Sequence, residues 1–276
     1  MDHILVEDIP MSEDQSAINQ MWHDWFATDA FKAEKRMMHI LRVLPREPRC
    51  KFCRAPFQGV GGGLVRVVLG KKRSTLNPRF CNMCEDFANK HPGGHEVEMS
   101  MLFADVRGST ALSEQLGVTE FRGLINRFYV KTASAIIQED GLVEKLAGDG
   151  VAAFWGPGIA GPHYVARTIH AAQNVLKVMD QQKIPVGVGV HAGVAYFGAM
   201  GSPDGLINIS AIGDEVNAAA RLSSSAAAGE MIVSEQALSQ AGMNGHGFES
   251  RRLELKGISE PVAVRVMHAA DPFVQI

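Results

Sequence analysis

The chain has 276 residues, with 27 lysines and arginines against 30 aspartates and glutamates, and a formal net charge of −3. This balance does not predict a nucleic-acid partner, because such proteins normally carry an excess of basic charge. Hydrophobic residues make up 46% of the chain and charged residues 21%, as in ordinary globular proteins. No apolar run is typical of a secretion signal or a membrane span, so we expect a cytoplasmic protein.

The first segment, residues 1–49, is predicted to be helical. Between residues 13 and 43 its apolar side chains recur at three- and four-residue steps: Ile18, Met21, Trp22, Trp25 and Phe26. This spacing is typical of an amphipathic helix that packs one face on the rest of the protein.

All four cysteines lie in two C-x-x-C pairs, Cys50/Cys53 and Cys81/Cys84, with 27 residues between the pairs. This pattern predicts a tetrahedral Zn²⁺ site of zinc-ribbon type over residues 50–84. Iron or an iron–sulfur cluster is an alternative occupant, and reduced thiols without a metal are the simplest alternative.

The sequence between and after the cysteine pairs is rich in glycine and proline. We expect a loop from Gly59 to Gly63, a short β-like run from Leu64 to Leu69, and a linker over residues 85–96. His91 and His95 lie within this linker and could lend metal ligands, but the surrounding Pro-Gly-Gly favours a linker.

From residue 97 to residue 276 the pattern predicts one α+β domain. A strand runs to Val106, a long amphipathic helix follows, and two strands flank the turn Gly148-Asp149-Gly150. A second helix and a strand from Val186 to Val194 complete the ferredoxin-like order β-α-β-β-α-β. Extra strands are expected near residues 208–212, 231–233, 252–255 and 263–267, with a helix that starts at Asp214.

Two aspartates, Asp105 and Asp149, each follow a predicted strand and precede a glycine turn. An unpaired carboxylate is costly to bury, so such residues seldom stabilise a core. They commonly hold hard divalent cations, and Mg²⁺ in turn holds phosphate oxygens. The pair therefore predicts phosphate chemistry on a nucleotide.

Five segments extend this prediction, in the order FADVRGST, EKLAGDGVAAFWG, VGVGVHAGVAYFG, ISAIGDEVNAAARL and LKGISEP. Through them the chain resembles the class III nucleotide cyclases, over roughly residues 97 to 268. The resemblance implies that Asp105 and Asp149, together with Val106, hold two Mg²⁺ or Mn²⁺ ions in each active site.

The resemblance also implies roles for residues that contact the nucleotide. It places phosphate oxygens on the turn formed by Gly108, Ser109 and Thr110, where free N–H groups at a helix N-terminus favour anions. It assigns contact with the terminal phosphates to Lys256. Asn217 would orient the ribose, and Arg221, on the same helix face, would stabilise the pentavalent transition state.

Base recognition is assigned by the resemblance to Lys145 and Ser210. An ammonium group can only donate, and adenine N1 accepts, whereas guanine N1 carries a proton. Adenylate cyclases carry a lysine at the position of Lys145 and most often an aspartate at that of Ser210. Guanylate cyclases typically carry glutamate and cysteine at these two positions.

The resemblance implies an adenylate cyclase, which converts ATP to 3′,5′-cyclic AMP and pyrophosphate. It further implies a head-to-tail homodimer in which metal ligands of one subunit face the base-reading and transition-state residues of the other. Two alternatives stay open from the sequence: a cyclase for another nucleotide, such as CTP, UTP or GTP, and a nucleotide-binding module without activity.

Overall fold

The predicted β-α-β-β-α-β order is present in the computed structural model, which describes residues 13–44, 48–202, 206–258 and 260–272. The helices of these residues are α1 (Glu13–Ala27), α2 (Lys32–Val43), α3 (Gly59–Leu69), α4 (Asn82–Lys90), α5 (Ser109–Gln138), α6 (Pro157–Ala160), α7 (Tyr164–Gln181), α8 (Asp214–Ser225) and α9 (Glu235–Gln240). The strands are β1 (Gly93–Val106), β2 (Leu142–Ala147), β3 (Gly150–Trp155), β4 (Val186–Gly201), β5 (Ile207–Ile212), β6 (Glu230–Ser234), β7 (Glu249–Leu253) and β8 (Val262–His268).

The strands form one sheet in the order β2-β3-β1-β4-β6-β8-β7, and β5 pairs with β4 as a hairpin. Strand β1 lies antiparallel between β3 and β4, which is the arrangement expected of a ferredoxin-like core. The four additional strands extend this core, as the sequence predicted. No helix among the described residues combines the length and apolarity needed to cross a membrane.

One face of the sheet is covered by α5 and α7. Leu102 and Val190 on the strands pack there with Phe128 on α5 and Ile169 on α7, all fully buried. The periodic apolar residues of the two long helices therefore account for this core, as expected from their 3.6-residue spacing.

The other face of the sheet is covered at one end by the N-terminal segment. Trp22 and Phe26 on α1 pack on Phe197 of β4, with ring centroids 6.0 Å and 4.1 Å away. Trp25 stacks on Phe52, which lies between the first two cysteines, at 4.1 Å. The prediction that this helix face packs on another part of the chain is confirmed. Residues 50–84, called here the cysteine segment, share one apolar core with the sheet.

Three local expectations were wrong. The helical run over residues 13–43 is divided into α1 and α2, since Phe31 adopts a left-handed conformation with φ of 57°. The expected glycine loop and β-like run from residue 59 to residue 69 form helix α3 instead. Close packing explains why a glycine stands at position 62 in this helix, because a Cβ atom there would lie 2.5 Å from the carbonyl carbon of Phe57.

The expected linker over residues 85–96 is also regular structure. Helix α4 continues to Lys90 and strand β1 begins at Gly93. Gly94 lies opposite Gly198 in the β1–β4 ladder, where an added Cβ atom would fall 2.3 Å from the carbonyl oxygen of Phe197. These glycines permit close approach of two strands and do not mark a flexible connection.

Candidate active site

The ends of two paired strands bring Asp105 and Asp149 together. Asp105 lies opposite Gly150 in the β1–β3 ladder, and Asp149 is the last residue of the turn that precedes β3. The backbone N–H of Val106 donates to the carbonyl oxygen of Asp149 at 3.0 Å, which fixes the two strand ends against each other. The convergence of the two carboxylates thus follows from strand pairing and not from their side-chain contacts.

The charges around the two aspartates are unevenly balanced. Arg107 forms an ion pair with Asp105, and the hydroxyl of Ser109 donates to the carboxylate of Asp149. Burial raises the pKa of the Asp105 carboxyl above its usual value, and the adjacent Asp149 carboxylate adds to this increase, while Arg107 opposes it. Two adjacent oxygen donors with excess negative charge are suited to hard divalent cations such as Mg²⁺ and Mn²⁺.

The turn after Asp105 contains a glycine in a left-handed conformation, directly before a helix. Gly108 has φ of 66° and ψ of 26°, a left-handed conformation that glycine adopts without steric cost. Helix α5 begins at the next residue, Ser109, and Thr110 is exposed in its first turn. The first N–H groups of α5 have no partner within the helix, and Ser109 in this first turn contacts the Asp149 carboxylate.

A cavity of about 290 Å³ holds both aspartates and also Lys145, which projects from β2. Helix α8 closes one side of the cavity with Ser223 and Ser224. The volume is at the low end of the range for ligand pockets, about 300–1,000 Å³. One chain therefore brings together three of the residues expected from the sequence in a space that is small for a whole nucleotide.

Asn217 and Arg221 do not line this cavity. Asn217 is exposed near the start of α8, and Arg221, one turn later, lies beside the turn that contains Lys256. A Cβ atom built on Gly257 would lie 3.3 Å from Nη2 of Arg221. Among the described residues, Lys145, Asn217, Arg221 and Lys256 make no side-chain hydrogen bond or ion pair, so their polar groups face solvent or a ligand.

The environment of Ser210 was not foreseen. Its hydroxyl on β5 donates to Oε1 of Glu144 on β2 at 2.9 Å. Lys51, from the first cysteine pair, also contacts this carboxylate, at 3.3 Å. Glu144 directly precedes Lys145 in the sequence, but nothing in the local pattern indicates a partner 66 or 93 residues away.

The four cysteines are free and buried, and they form one cluster. Their sulfur atoms all lie within 4.8 Å of one another, and Sγ of Cys53 is 3.7 Å from Sγ of Cys81. A tetrahedron with Zn–S bonds of about 2.3 Å has edges of about 3.8 Å, so the cluster fits a tetrahedral ion. The backbone N–H of Cys81 donates to Sγ of Cys50 at 3.3 Å.

His91 and His95 take no part in the cluster. Their Nδ1 atoms instead contact the carbonyl oxygens of Phe87, at 2.8 Å, and of Glu96, at 2.7 Å. The cysteine site is therefore built from sulfur alone.

Comparisons with known proteins identify the family of the sheet-containing domain. The family described as "Adenylate and Guanylate cyclase catalytic domain" matches residues 94–263. An adenylate cyclase of Anabaena cylindrica is 28% identical over 138 residues, which cover 45% of this chain and 26% of that protein. An uncharacterized protein of Mycobacterium tuberculosis is 28% identical over 176 residues, or 62% of this chain and 32% of its own. The matches thus span about a third or less of these relatives.

Solved structures of both substrate types are similar to the chain. The adenylyl cyclase CyaB of P. aeruginosa superposes with a TM-score of 0.57 at 25% identity, over 65% of this chain and 98% of that one. The guanylyl cyclase Cya2 gives a TM-score of 0.58 at 25% identity, over 66% of this chain and 97% of that one. Because the family match covers more than half of its residues, the chain belongs to the adenylate and guanylate cyclase catalytic domain family, whose members act as dimers on nucleotide substrates.

Proposed function

We propose that the chain is an adenylate cyclase that converts ATP to 3′,5′-cyclic AMP and pyrophosphate. The observation that carries this proposal is the convergence of Asp105 and Asp149 on one cavity at the ends of two paired strands. We further propose a homodimer with two equivalent sites, in which the aspartates of one subunit face Asn217 and Arg221 of the other. The small cavity and the separate placement of Arg221 beside the Lys256 turn support a site that needs two chains.

The donor set fits two Mg²⁺ or Mn²⁺ ions, since Asp105, Asp149 and the backbone at Val106 offer oxygen atoms only. When bound, such ions lower the pKa of the ribose 3′-hydroxyl and neutralise charge on the triphosphate. Gly108, Ser109 and Thr110 contribute N–H groups at the start of α5, which bind phosphate oxygens. Lys256 contacts the terminal phosphates and so holds the leaving group.

Arg221 and Asn217 act on the reacting part of the nucleotide. The planar guanidinium of Arg221 stays charged at all relevant pH values and can donate two parallel hydrogen bonds to oxygen atoms of the pentavalent phosphorus centre. Asn217, on the same face of α8, orients the ribose so that its 3′-oxygen is in line with the α-phosphorus. Both contributions are strongest where charge develops in the transition state.

Base selection rests on Lys145 and Ser210. Lys145 donates to adenine N1, and Ser210 accepts from the adenine amino group. A second candidate is a cyclase for another base, and the similar superposition of the guanylyl cyclase Cya2 favours GTP as that substrate. Cytosine presents N3 and an amino group in nearly the same arrangement as adenine, so CTP is a further nucleotide to compare.

The experiment is an assay of the purified full chain with MnCl₂ and each of the four nucleoside triphosphates, with products separated by chromatography. We expect cyclic AMP to be the main product.

Two variants test the roles of the site residues. Asp105→Asn should abolish turnover. Arg221→Ala should lower kcat by about 10²-fold or more and leave KM within a few-fold, the signature of a transition-state contact. Tight ATP binding without product, in MnCl₂ and in a parallel assay with MgCl₂, would contradict the proposal and favour a silent nucleotide-binding module.

We also propose that Cys50, Cys53, Cys81 and Cys84 hold a structural Zn²⁺ ion. The sulfur cluster fits a tetrahedral ion, and four cysteine ligands leave no open position for a substrate. Reduced, metal-bound cysteines are usual in the cytoplasm, which is where we place the reaction. Iron remains the competing ion because it accepts the same ligands.

A further inference from the structure

A buried ion pair connects the cysteine segment to the strand that carries Lys145. The side chains of Lys51 and Glu144 are only 7% and 9% exposed, and their charged atoms are 3.3 Å apart. Lys51 lies within the first cysteine pair, and Glu144 directly precedes Lys145 on β2. Neither residue has a role in the function proposed above, although burial of two charges away from water is costly unless they are well paired.

The protons of Lys51 are all committed. Besides Glu144, its Nζ atom donates to Oδ1 of Asn208 at 3.0 Å and to the carbonyl oxygen of Ile209 at 2.9 Å. An ammonium group has three protons, so these three partners use its full capacity. These contacts fix Lys51 between β2 and β5, where it is the counter-ion of Glu144.

Glu144 is surrounded by donors. Its Oε1 atom receives Nζ of Lys51, Nδ2 of Asn208 at 3.3 Å and Oγ of Ser210 at 2.9 Å. An ionised carboxylate has no proton to give and can only accept. The single hydroxyl proton of Ser210 must therefore point towards Glu144.

This arrangement decides what Ser210 can offer a ligand. A free hydroxyl can either donate or accept, but one whose proton is committed presents only lone pairs. Adenine carries an amino donor at position 6, whereas guanine carries a carbonyl acceptor there. A Ser210 hydroxyl that can only accept forms a hydrogen bond with the adenine amino group. With guanine it would place its oxygen against the carbonyl oxygen, and two acceptors cannot form a hydrogen bond. A tight site strongly rejects a ligand that makes such a contact.

We propose that Glu144 is a specificity-determining positioning residue, which commits the Ser210 proton so that the site selects a 6-amino purine over a 6-oxo purine. Lys51, supplied by the cysteine segment, holds the Glu144 carboxylate in place. The inference rests on the proposed function, because it assumes that Ser210 faces the base. In this proposal Glu144 does not contact the nucleotide. It determines whether Ser210, which does contact the base, donates or accepts a hydrogen bond.

The test compares the ratio of kcat/KM for ATP to that for GTP in the full chain. The main variant is Lys51→Met/Glu144→Met, which removes both members of the pair and leaves no unpaired buried charge. We expect this ratio to fall about ten-fold or more, since the freed Ser210 hydroxyl can then donate to the guanine carbonyl; Lys145 retains the remaining selectivity. Glu144→Gln, a smaller change, should shift the ratio in the same direction.

Two further variants separate this mechanism from a general loss of packing. In a Ser210→Ala background, replacement of Lys51 and Glu144 should no longer change the ratio, because no hydroxyl is left to orient. Ser210→Thr keeps the hydroxyl and should keep the selectivity of the unmodified chain. An unchanged ratio in a folded Lys51→Met/Glu144→Met variant would overturn the inference, as would an equal change in the Ser210→Ala background.

A binding assay distinguishes failure of this inference from failure of the proposed function. Affinities for 3′-deoxy-ATP and 3′-deoxy-GTP, which cannot cyclise, are measured by competition with a fluorescent nucleotide. If the unmodified chain cyclises neither ATP nor GTP, the proposed function is wrong, while the ratio of these two affinities still reports on Glu144. Retention of that ratio in the double variant would reject the role of Glu144.

Discussion

Asp105 has two neighbours of opposite effect, the Asp149 carboxylate and the Arg107 guanidinium. Burial and Asp149 together outweigh Arg107, so the pKa of the Asp105 carboxyl lies above its usual value of 3.8. A carboxyl group with a raised pKa in the folded state lowers the stability of the fold at neutral pH. This local deficit of positive charge is what a divalent cation would correct.

We predict that Asp105→Asn raises the Tm of the metal-free chain at pH 7. Because the pKa of Asp105 is higher in the folded state, the penalty is complete above that folded-state value. The gain of the variant should therefore shrink as the pH falls through the folded-state pKa, and it should vanish below about 3.8, the unfolded-state value. Thermal unfolding at a series of pH values in a chelating buffer measures this difference.

Mn²⁺ should reverse the order of the two proteins. At a free concentration one hundred times its Kd, Mn²⁺ should stabilise the unmodified chain by about 2.7 kcal/mol and leave Asp105→Asn nearly unchanged. Asp180→Asn, which alters an exposed aspartate at the end of α7, is the matched control and should respond like the unmodified chain. An equal response of the Asp105 variant would argue against a metal at this carboxylate.

At the scale of elements, the proposed zinc ion would join the two cysteine pairs. The first pair precedes α3, and the second pair flanks the start of α4, so a shared ion would close a loop of 27 residues. We predict one zinc per chain, and we expect Cys81→Ser to lose it at a cost of at least about 3 kcal/mol, a fraction of the roughly 10–16 kcal/mol with which zinc-finger peptides bind the ion. Elemental analysis and denaturant unfolding measure both effects.

The Asp105→Asn variant is the internal control for the cysteine site, because it should retain its full zinc content. Iron in place of zinc, in protein purified without added metal, would correct the identity of the ion. If the chain contains no metal, and Cys81→Ser does not change its stability, the four cysteines are simple buried thiols.

The sequence predicted those elements whose signals are local. The strand-turn-strand around Asp149 and the helix that carries Asn217 and Arg221 were placed correctly, because turn glycines and helical spacing act over a few residues. Helix α3 was missed since its valines and leucines are typical of a strand and several, such as Val60 and Val67, stay exposed. The two glycines that begin β1 were misinterpreted as linker residues, because the strand that they approach closely, β4, lies about 100 residues further along the chain.

In the candidate site, too, the contacts between predicted strands could be expected from the sequence, and the contacts between distant segments could not. Asp105 and Asp149 could be expected to meet, since each ends a strand of one predicted sheet. The contacts of Ser210 with Glu144, and of Glu144 with Lys51, could not, because they depend on how β5 and the cysteine segment close over β2. Long-range pairs of this kind leave no periodic trace in the sequence.

At the scale of the whole molecule, the proposed composite site predicts complementation. As homodimers, Asp105→Asn should be inactive and Arg221→Ala should keep about a hundredth of the activity or less. In a mixed dimer, one site carries both defects, while the other combines the intact aspartates of one chain with the intact arginine of its partner. Unfolding and refolding an equimolar mixture should therefore restore about a quarter of the unmodified activity, since half of the dimers are mixed and each has one working site.

Refolding each variant alone is the control and should give no more than the low activity of that variant before refolding. Recovery that rises with subunit exchange time would support sites shared between chains. If the mixture stays inactive although mass spectrometry shows mixed dimers, the catalytic residues must come from one chain.

The aromatic contact between α1 and Phe197 bears on where this protein can be cut. The family match begins at residue 94, yet Trp22 and Phe26 cover strand surface that lies well inside that boundary. A fragment trimmed to the match would uncover a broad apolar patch beside the β4–β5 hairpin, and such patches promote self-association. The smallest piece that behaves well in isolation is therefore expected to keep its first helix, however weakly that helix resembles anything catalytic.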